Sequence, residues 1–250
     1  AIFDKFPDRR RRNSGVYYLH DDCDFLLKSV KIQQSILGCK NMVPEELAKA
    51  YGLKVYGELI PKVSILNVLY QKEVIGFNSE QAINRLWDIY GNFVKRRNIK
   101  DLNDVKNLLV NYDYIVSTIP AYILYPEAEY KSVETLIQIG YSPIEEAFIF
   151  YNVNPQSEWY RCSAFFGIFI QEFGLSVSKK MRINNKKVSL KNDKADFNMP
   201  EYKKVIKVIG DGIQADIPNL FLTGRYGAWK KALLTHNAYY DTLNWLMKNG

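Results

Sequence analysis

Between residues 13 and 38 apolar side chains come in short runs and then on alternate positions. Val16 to Leu19 is a brief apolar run, and Val30, Ile32 and Ile36 alternate with polar neighbours up to Gly38. A period of two predicts strands, because successive side chains of a pleated strand point to opposite faces. At Pro44 the pattern changes: proline in the first turn, with Glu45 and Glu46 beside the positive end of the dipole, predicts a short helix over 44–51 stopped by Gly52. The strongest helix of the first half spans Ser79 to Val94. Ser79 is placed to cap it, and Ala82, Leu86, Ile89, Tyr90 and Phe93 form a stripe expected to enter the core.

In the second half, Asp104 to Tyr112 reads as a helix or loop, followed by the apolar, β-branched strand Tyr114 to Ile119, ended by Pro120. Being apolar on both faces, it is expected inside a parallel sheet. Phe148–Val153 and Cys162–Phe173 read as strands of an antiparallel sheet, separated by the polar turn Asn154–Ser157, and Lys179–Asp196 as an exposed basic hairpin or loop. The chain closes with a strand over Asn219–Thr223, a glycine-bracketed turn Gly224–Gly227, and a helix over Lys231–Met247.

Composition narrows the class. With 250 residues, 47% hydrophobic, 14% aromatic and 24% charged, the chain has ample material for a core, which excludes a disordered or collagen-like protein. No run approaches the ~18 apolar residues of a membrane span. Cys23, Cys39 and Cys162 lack CxxC spacing, and His20 and His236 stand far apart, so no metal site is expected. Free thiols point to a reducing compartment, the cytoplasm. The net charge of +7, with basic runs at Arg9–Arg12 and Lys179–Lys187, gives modest attraction to polyanions, yet no nucleic-acid motif accompanies it. A nucleic acid is thus a secondary candidate as partner.

Two places carry candidate chemistry. A turn between a buried strand and a helix, Thr223-Gly224-Arg225-Tyr226-Gly227, is where main-chain N–H groups and the helix dipole can hold an anion, with Arg225 as charged donor. The plain alternative is a tight turn with a surface arginine. At the other end, Ala1-Ile2-Phe3-Asp4 reads as the tail of an interior strand; in dinucleotide-binding folds an acid at such a strand end takes the ribose hydroxyls, and the alternative is a surface Asp in the turn at Pro7.

Three segments in order, Asp113–Pro120 (DYIVSTIP), Glu158–Ser163 (EWYRCS) and Pro218–Trp229 (PNLFLTGRYGAW), resemble segments of FAD-dependent oxidoreductases of the amine oxidase, protoporphyrinogen oxidase and UDP-galactopyranose mutase group, the mutase-like branch most of all. The resemblance implies an α/β fold: a Rossmann-like FAD-binding domain (residues 1–25, 104–125 and 205–250) interrupted by a mixed, largely antiparallel substrate domain (26–103 and 126–204). It implies FAD as cofactor, with Asp4 on the adenosine ribose and Gly224, Arg225, Tyr226 and Gly227 against the pyrophosphate or isoalloxazine. Trp159, Tyr160 and Arg161 would meet a small-molecule substrate, and Arg161 and Arg225 are the candidate catalytic residues. The family's GxGxxG turn has no counterpart in these residues, which on this reading makes the FAD domain N-terminally truncated. The activity implied is hydride transfer from an amine- or alcohol-bearing molecule to the flavin. The alternatives are a mutase-like isomerisation of a nucleotide sugar and a partial flavoprotein serving as a binding module.

Overall fold

The computed structural model describes residues 1–4, 17–18, 29–57, 64–70, 72–144, 146–174, 201–231 and 233–249. Arg9–Arg12, His20, Cys23 and the basic segment 179–196 lie outside the described residues. In chain order the elements are β1 (Ile2–Asp4), β2 (Tyr17–Tyr18), β3 (Ser29–Leu37), α1 (Pro44–Tyr56), α2 (Asn67–Tyr70), β4 (Glu73–Phe77), α3 (Ser79–Tyr90), β5 (Val94–Arg96), α4 (Leu102–Leu109), β6 (Ile115–Ser117), α5 (Ala121–Leu124), β7 (Ser132–Tyr141), β8 (Ala147–Asn152), β9 (Trp159–Phe165), β10 (Ile168–Phe173), β11 (Glu201–Val208), β12 (Leu220–Leu222) and α6 (Thr235–Asn249).

The fold is mixed α/β. Eight strands form one sheet in the order β11-β7-β10-β9-β8-β3-β4-β2, antiparallel throughout except where β3 meets β8. The expected antiparallel region around 148–173 is therefore present. The chain reverses between β9 and β10 at Phe166-Gly167, both with positive φ (51° and 77°), as a tight hairpin turn needs. Asn154 holds the 154–157 turn through its own side chain, which accepts from the Gln156 N–H at 3.0 Å. Two small parallel pairs stand apart from this sheet, β1 with β5 and β6 with β12.

The main core lies between one face of the large sheet and α1, α2 and the 3-10 turn at Ser64–Leu66. Ile32, Leu47, Val55, Ile65, Ile149 and Tyr160 are each at most 2% exposed there. Burying one such aliphatic side chain contributes about 1.5–3 kcal/mol. This core also carries α1 beyond its expected end. Tyr51, Gly52 and Val55 are buried, so packing outweighs the glycine, and the helix runs on to Tyr56, where Gly57 (φ 77°) caps it by donating to the Leu53 carbonyl at 3.0 Å.

A second core joins α4, β6, β12 and the chain leading into α6 through Val105, Leu124, Leu220, Leu222 and Leu233. Asp101 caps α4 by accepting from the Asp104 N–H at 3.0 Å. A small cluster of Ala121, Val208 and Trp229 adjoins the second core through Ile213.

Three expectations change. The 79–94 helix stops at Tyr90, and the Asn78 side chain accepts at its start from the Gln81 N–H. Its stripe is not core: Leu86, Ile89, Tyr90 and Phe93 are 37–61% exposed, and of the five positions Ala82 alone is buried. The strand this helix feeds, β5, pairs with β1 over three residues, and so small a sheet has little apolar face to offer. The strand 114–119 is buried at Ser117 but leaves Val116 39% exposed, since β12 is its one partner strand among the described residues. Sheet membership also departs from the expected domain division. Residues 94–96 pair with β1, while 17–18 and 205–208 belong to the large sheet.

Candidate functional site

The two segments Asp113–Pro120 and Pro218–Trp229, a hundred residues apart in sequence, lie side by side. Leu220, Phe221 and Leu222 pair in parallel with Ile115, Val116 and Ser117, and the Thr223 N–H extends the ladder to the Ser117 carbonyl at 2.9 Å. The glycine turn leaves at the carboxyl ends of both strands, where open α/β sheets present their ligand crevices. Gly224 has φ +77°, a conformation that costs an L-residue roughly 1–2 kcal/mol, and the space before its missing Cβ is open, the nearest atom being Thr118 Cγ2 at 4.0 Å. Gly227 is glycine for another reason. A Cβ there would overlap the Thr223 carbonyl oxygen and lie 3.0 Å from the Ser117 oxygen, so only glycine lets the turn close on β6. The Tyr226 carbonyl accepts from the Ala121 N–H at 2.9 Å, locking the turn to the residue after Pro120.

The helix dipole does not reach this turn. The chain first runs alongside 210–213, with the Lys231 N–H donating to Gly210 at 2.9 Å and the Ile213 N–H to Ala228 at 2.7 Å, and α6 begins only at Thr235. Pinning by these main-chain bonds delays the helix expected from Lys231. Any anion at the turn must therefore be held by its own donors and by Arg225, which is exposed.

The third segment supplies a charge cluster around the buried Glu172. β9 carries an extra residue against β10: Arg161 faces Glu172 and Trp159 faces Phe173, leaving Tyr160 without an opposite residue. Such a bulge re-aims side chains that would otherwise alternate. Here the consecutive residues Tyr160 and Arg161 both reach Glu172. The Tyr160 hydroxyl donates to Oε2, while Nε and Nη2 of Arg161 close on Oε1. From β11, Lys207 Nζ donates to Oε2 at 3.0 Å and lies 4.9 Å from the centre of the Tyr160 ring.

The charges follow from this geometry. Burial pushes the Glu172 carboxyl up, but Arg161, Lys207 and the Tyr160 hydroxyl outweigh it and hold it at about 2, so it is ionised. Burial, with Glu172 alongside, raises the Tyr160 phenol, which stays a donor. Lys207 is lowered by burial, with Arg161 and Arg225 adding to the effect against the pull of Glu172.

The Arg225 guanidinium adds to the lowering of Lys207 and opposes the raising of Tyr56, the last residue of α1. Tyr226 fastens the junction, its hydroxyl donating to the Ile206 carbonyl of β11 at 2.8 Å. Lys231 Nζ sits 4.9 Å over the Tyr56 ring. The seam between the large sheet and the turn thus gathers Tyr160, Arg161, Arg225 and Tyr226 from the sequence reading and adds Glu172, Lys207 and Tyr56. Two members had a legible signal: Ile168, Ile170 and Glu172 alternate along β10, as do Val205 and Lys207 along β11, placing a charge where an inward side chain is expected. The bulge had none.

Arg161 departs from its expected role. Its guanidinium already grips Glu172, so it positions that carboxylate rather than offering an open clamp. Trp159 is half-buried opposite Phe173, at the edge of the cluster. Asp4 stands in the other parallel pair at the carboxyl end of β1, its carbonyl accepting from the Arg97 N–H at 2.9 Å. That pair touches the β6 side through the Phe3 and Tyr112 rings, 5.7 Å apart edge to face. His236 is buried at the start of α6. Cys162 is buried, which pushes its thiol up to about 11, and Cys39 is partly buried. Among the described residues no group of three or more His, Cys, Asp or Glu could hold a metal ion, and no helix is long and apolar enough to cross a membrane. No family model matches the chain, and no curated protein is significantly similar to it.

Proposed function

We propose that the chain is a flavin-dependent oxidoreductase that binds FAD along the carboxyl ends of its parallel strands and presents an alcohol- or amine-bearing small molecule from the seam. The observation that carries this reading is the pairing of two of the three resembling segments, β6 with β12, and the bond from Tyr226 of the turn after β12 to the Ile206 carbonyl, next in β11 to the Lys207 that meets the third segment's cluster at Glu172. The turn fits a flavin, since Gly224 leaves open space on its ligand-facing side and Arg225 is an exposed donor. On this reading Gly224, Arg225, Tyr226 and Gly227 line the flavin, Asp4 takes the ribose, and Trp159 and Arg161 form the substrate side, with the fully buried Tyr160 behind them rather than meeting the substrate as expected.

Bound FAD would supply the hydride acceptor. The chain's own residues orient the substrate and set the field around it. Glu172 fixes Tyr160 and Arg161 in one arrangement, and a network with every member bonded is rigid. Arg225, unpaired with any carboxylate among the described residues, is the charge left to stabilise a ligand.

Titration of the purified protein with FAD, followed by flavin absorbance and fluorescence quenching, tests the reading. Saturable uptake is expected. Arg225→Ala should weaken it about tenfold or more, the worth of a charge-assisted hydrogen bond, and Arg161→Ala by much less. A protein that takes up no FAD supports the binding-module alternative, and equal losses in both variants contradict the assigned roles.

A further inference from the structure

Leu86, Ile89 and Tyr90 share one face of α3 at i, i+3 and i+4, Phe93 follows in the 3-10 turn that continues the helix, and all four are exposed. Ala82, one turn earlier on the same stripe, is buried. The stripe is therefore anchored in the protein by its first turn and projects from it over the next two. Trp87 widens the exposed face, its ring lying along the helix end against Gly91, where an added Cβ would stand 3.2 Å from the indole Nε1. The opposite face carries Gln81, Asn84 and Asp88, all in solvent. Beyond Phe93 the chain becomes basic, with Lys95, Arg96, Arg97 and Lys100 exposed. The acids that come next, Asp101 and Asp104, are turned to main-chain N–H groups at the start of α4, accepting from Asp104 at 3.0 Å and from Lys100 at 2.8 Å.

Large apolar side chains gathered on one exposed helix face mark a contact surface, unlike single hydrophobes scattered over a protein. Three features choose its occupant. Leu86 and Ile89 put branched aliphatic groups at the middle of the face, which suits hydrocarbon better than the flat faces of stacked bases. Trp87 and Tyr90 add rings with one apolar and one polar end, the kind that settles between hydrocarbon and water. The cations beside the face complement an anionic surface, whereas a second copy docked there would bring like charges together. We infer that α3 and the basic stretch after it form a docking surface for an anionic lipid bilayer. The apolar face sits at the boundary between headgroups and acyl chains, and Lys95, Arg96 and Lys100 lie at headgroup level. Attachment of this kind engages one leaflet and needs no spanning helix.

The test is cosedimentation of the full chain with vesicles of mixed phosphatidylcholine and phosphatidylserine. The protein should pellet with them, bind phosphatidylcholine alone far more weakly, and be released by high salt. Ile89→Ser should weaken binding about tenfold through lost apolar contact. Lys95→Gln combined with Lys100→Gln should weaken it about fivefold for each charge removed. Lys40→Gln combined with Lys49→Gln changes the net charge equally at exposed positions beside and on α1, and should bind as the wild type does. Tryptophan emission should move to shorter wavelength on binding, and Trp87→Phe should abolish the move. Failure to pellet with the anionic vesicles overturns the inference, as does equal binding by the α3 variants and the α1 control. Two other results also overturn it: a dimer that Ile89→Ser dissociates, with no vesicle binding, and capture of a single-stranded oligonucleotide in place of vesicles.

Discussion

The large sheet and the β6–β12 pair place charge in opposite ways. The sheet buries Glu172 and binds it to Tyr160, Arg161 and the partly exposed Lys207 in a closed network. The parallel pair buries only neutral polar groups, such as Thr223, whose hydroxyl donates to the Ala238 carbonyl at 3.2 Å, and puts its arginine in solvent. A closed ionic network is costly to break but does little alone. An exposed arginine costs the fold little and is free to act on a ligand. Where the two regions meet, rigidity comes from the sheet and reactivity toward a ligand from the turn.

The largest expected effect breaks the sheet side. Glu172→Gln leaves the partly exposed Arg161 and Lys207 without their counter-charge and should cost about 2–4 kcal/mol in chemical denaturation, less than a fully buried pair would lose. The same residue sets an acid response. Its folded pKa, about 2, lies below the unfolded value near 4.3, so its contribution is complete above pH ~4.5 and is lost as pH falls towards 2. It is worth about 3 kcal/mol at most. Wild-type stability should decline more steeply than that of Glu172→Gln across this window; parallel curves would mean that Glu172 is not held by its partners.

On the turn side the expected effects are smaller and separate by cause. Gly227→Ala should destabilise by about 1–3 kcal/mol, because the new methyl strikes main-chain oxygens. Gly224→Ala should cost about 1–2 kcal/mol, from φ alone, and Gly224→Asn should recover part of it, since Asn tolerates that conformation. Recovery at Gly224 but not at Gly227 is the pattern expected. Least of all, Ile89→Ser on the exposed stripe of α3 should change stability by under about 0.5 kcal/mol; a core-sized loss would restore the burial that the periodicity suggests.

That stripe shows where sequence reading reaches its limit. A period of 3.6 identifies a helix and an apolar face, and α3 is indeed a helix, but the pattern cannot say whether a large enough surface lies opposite. The β3 alternation and the 154–157 turn were legible because their determinants are local. Gly52 misled for the opposite reason: Tyr51 draws the helix through it by ring contacts with Tyr151 and Tyr160, about a hundred residues away, and Val55 is buried in the same core. The site divides along the same line. The turn was found from its own residues, and Tyr160 and Arg161 from their segment. Their joint grip on Glu172 depends on a one-residue bulge, set by the pairing of β9 with β10 and invisible in either strand alone.

The convergence of Arg225 on the sheet cluster is most directly tested by titrating Lys207 in the wild type and in Arg225→Ala, following the lysine side-chain carbon resonances by NMR. Since the arginine's charge depresses the ammonium, removing it should move the Lys207 midpoint to higher pH. An unchanged midpoint would contradict a single shared site.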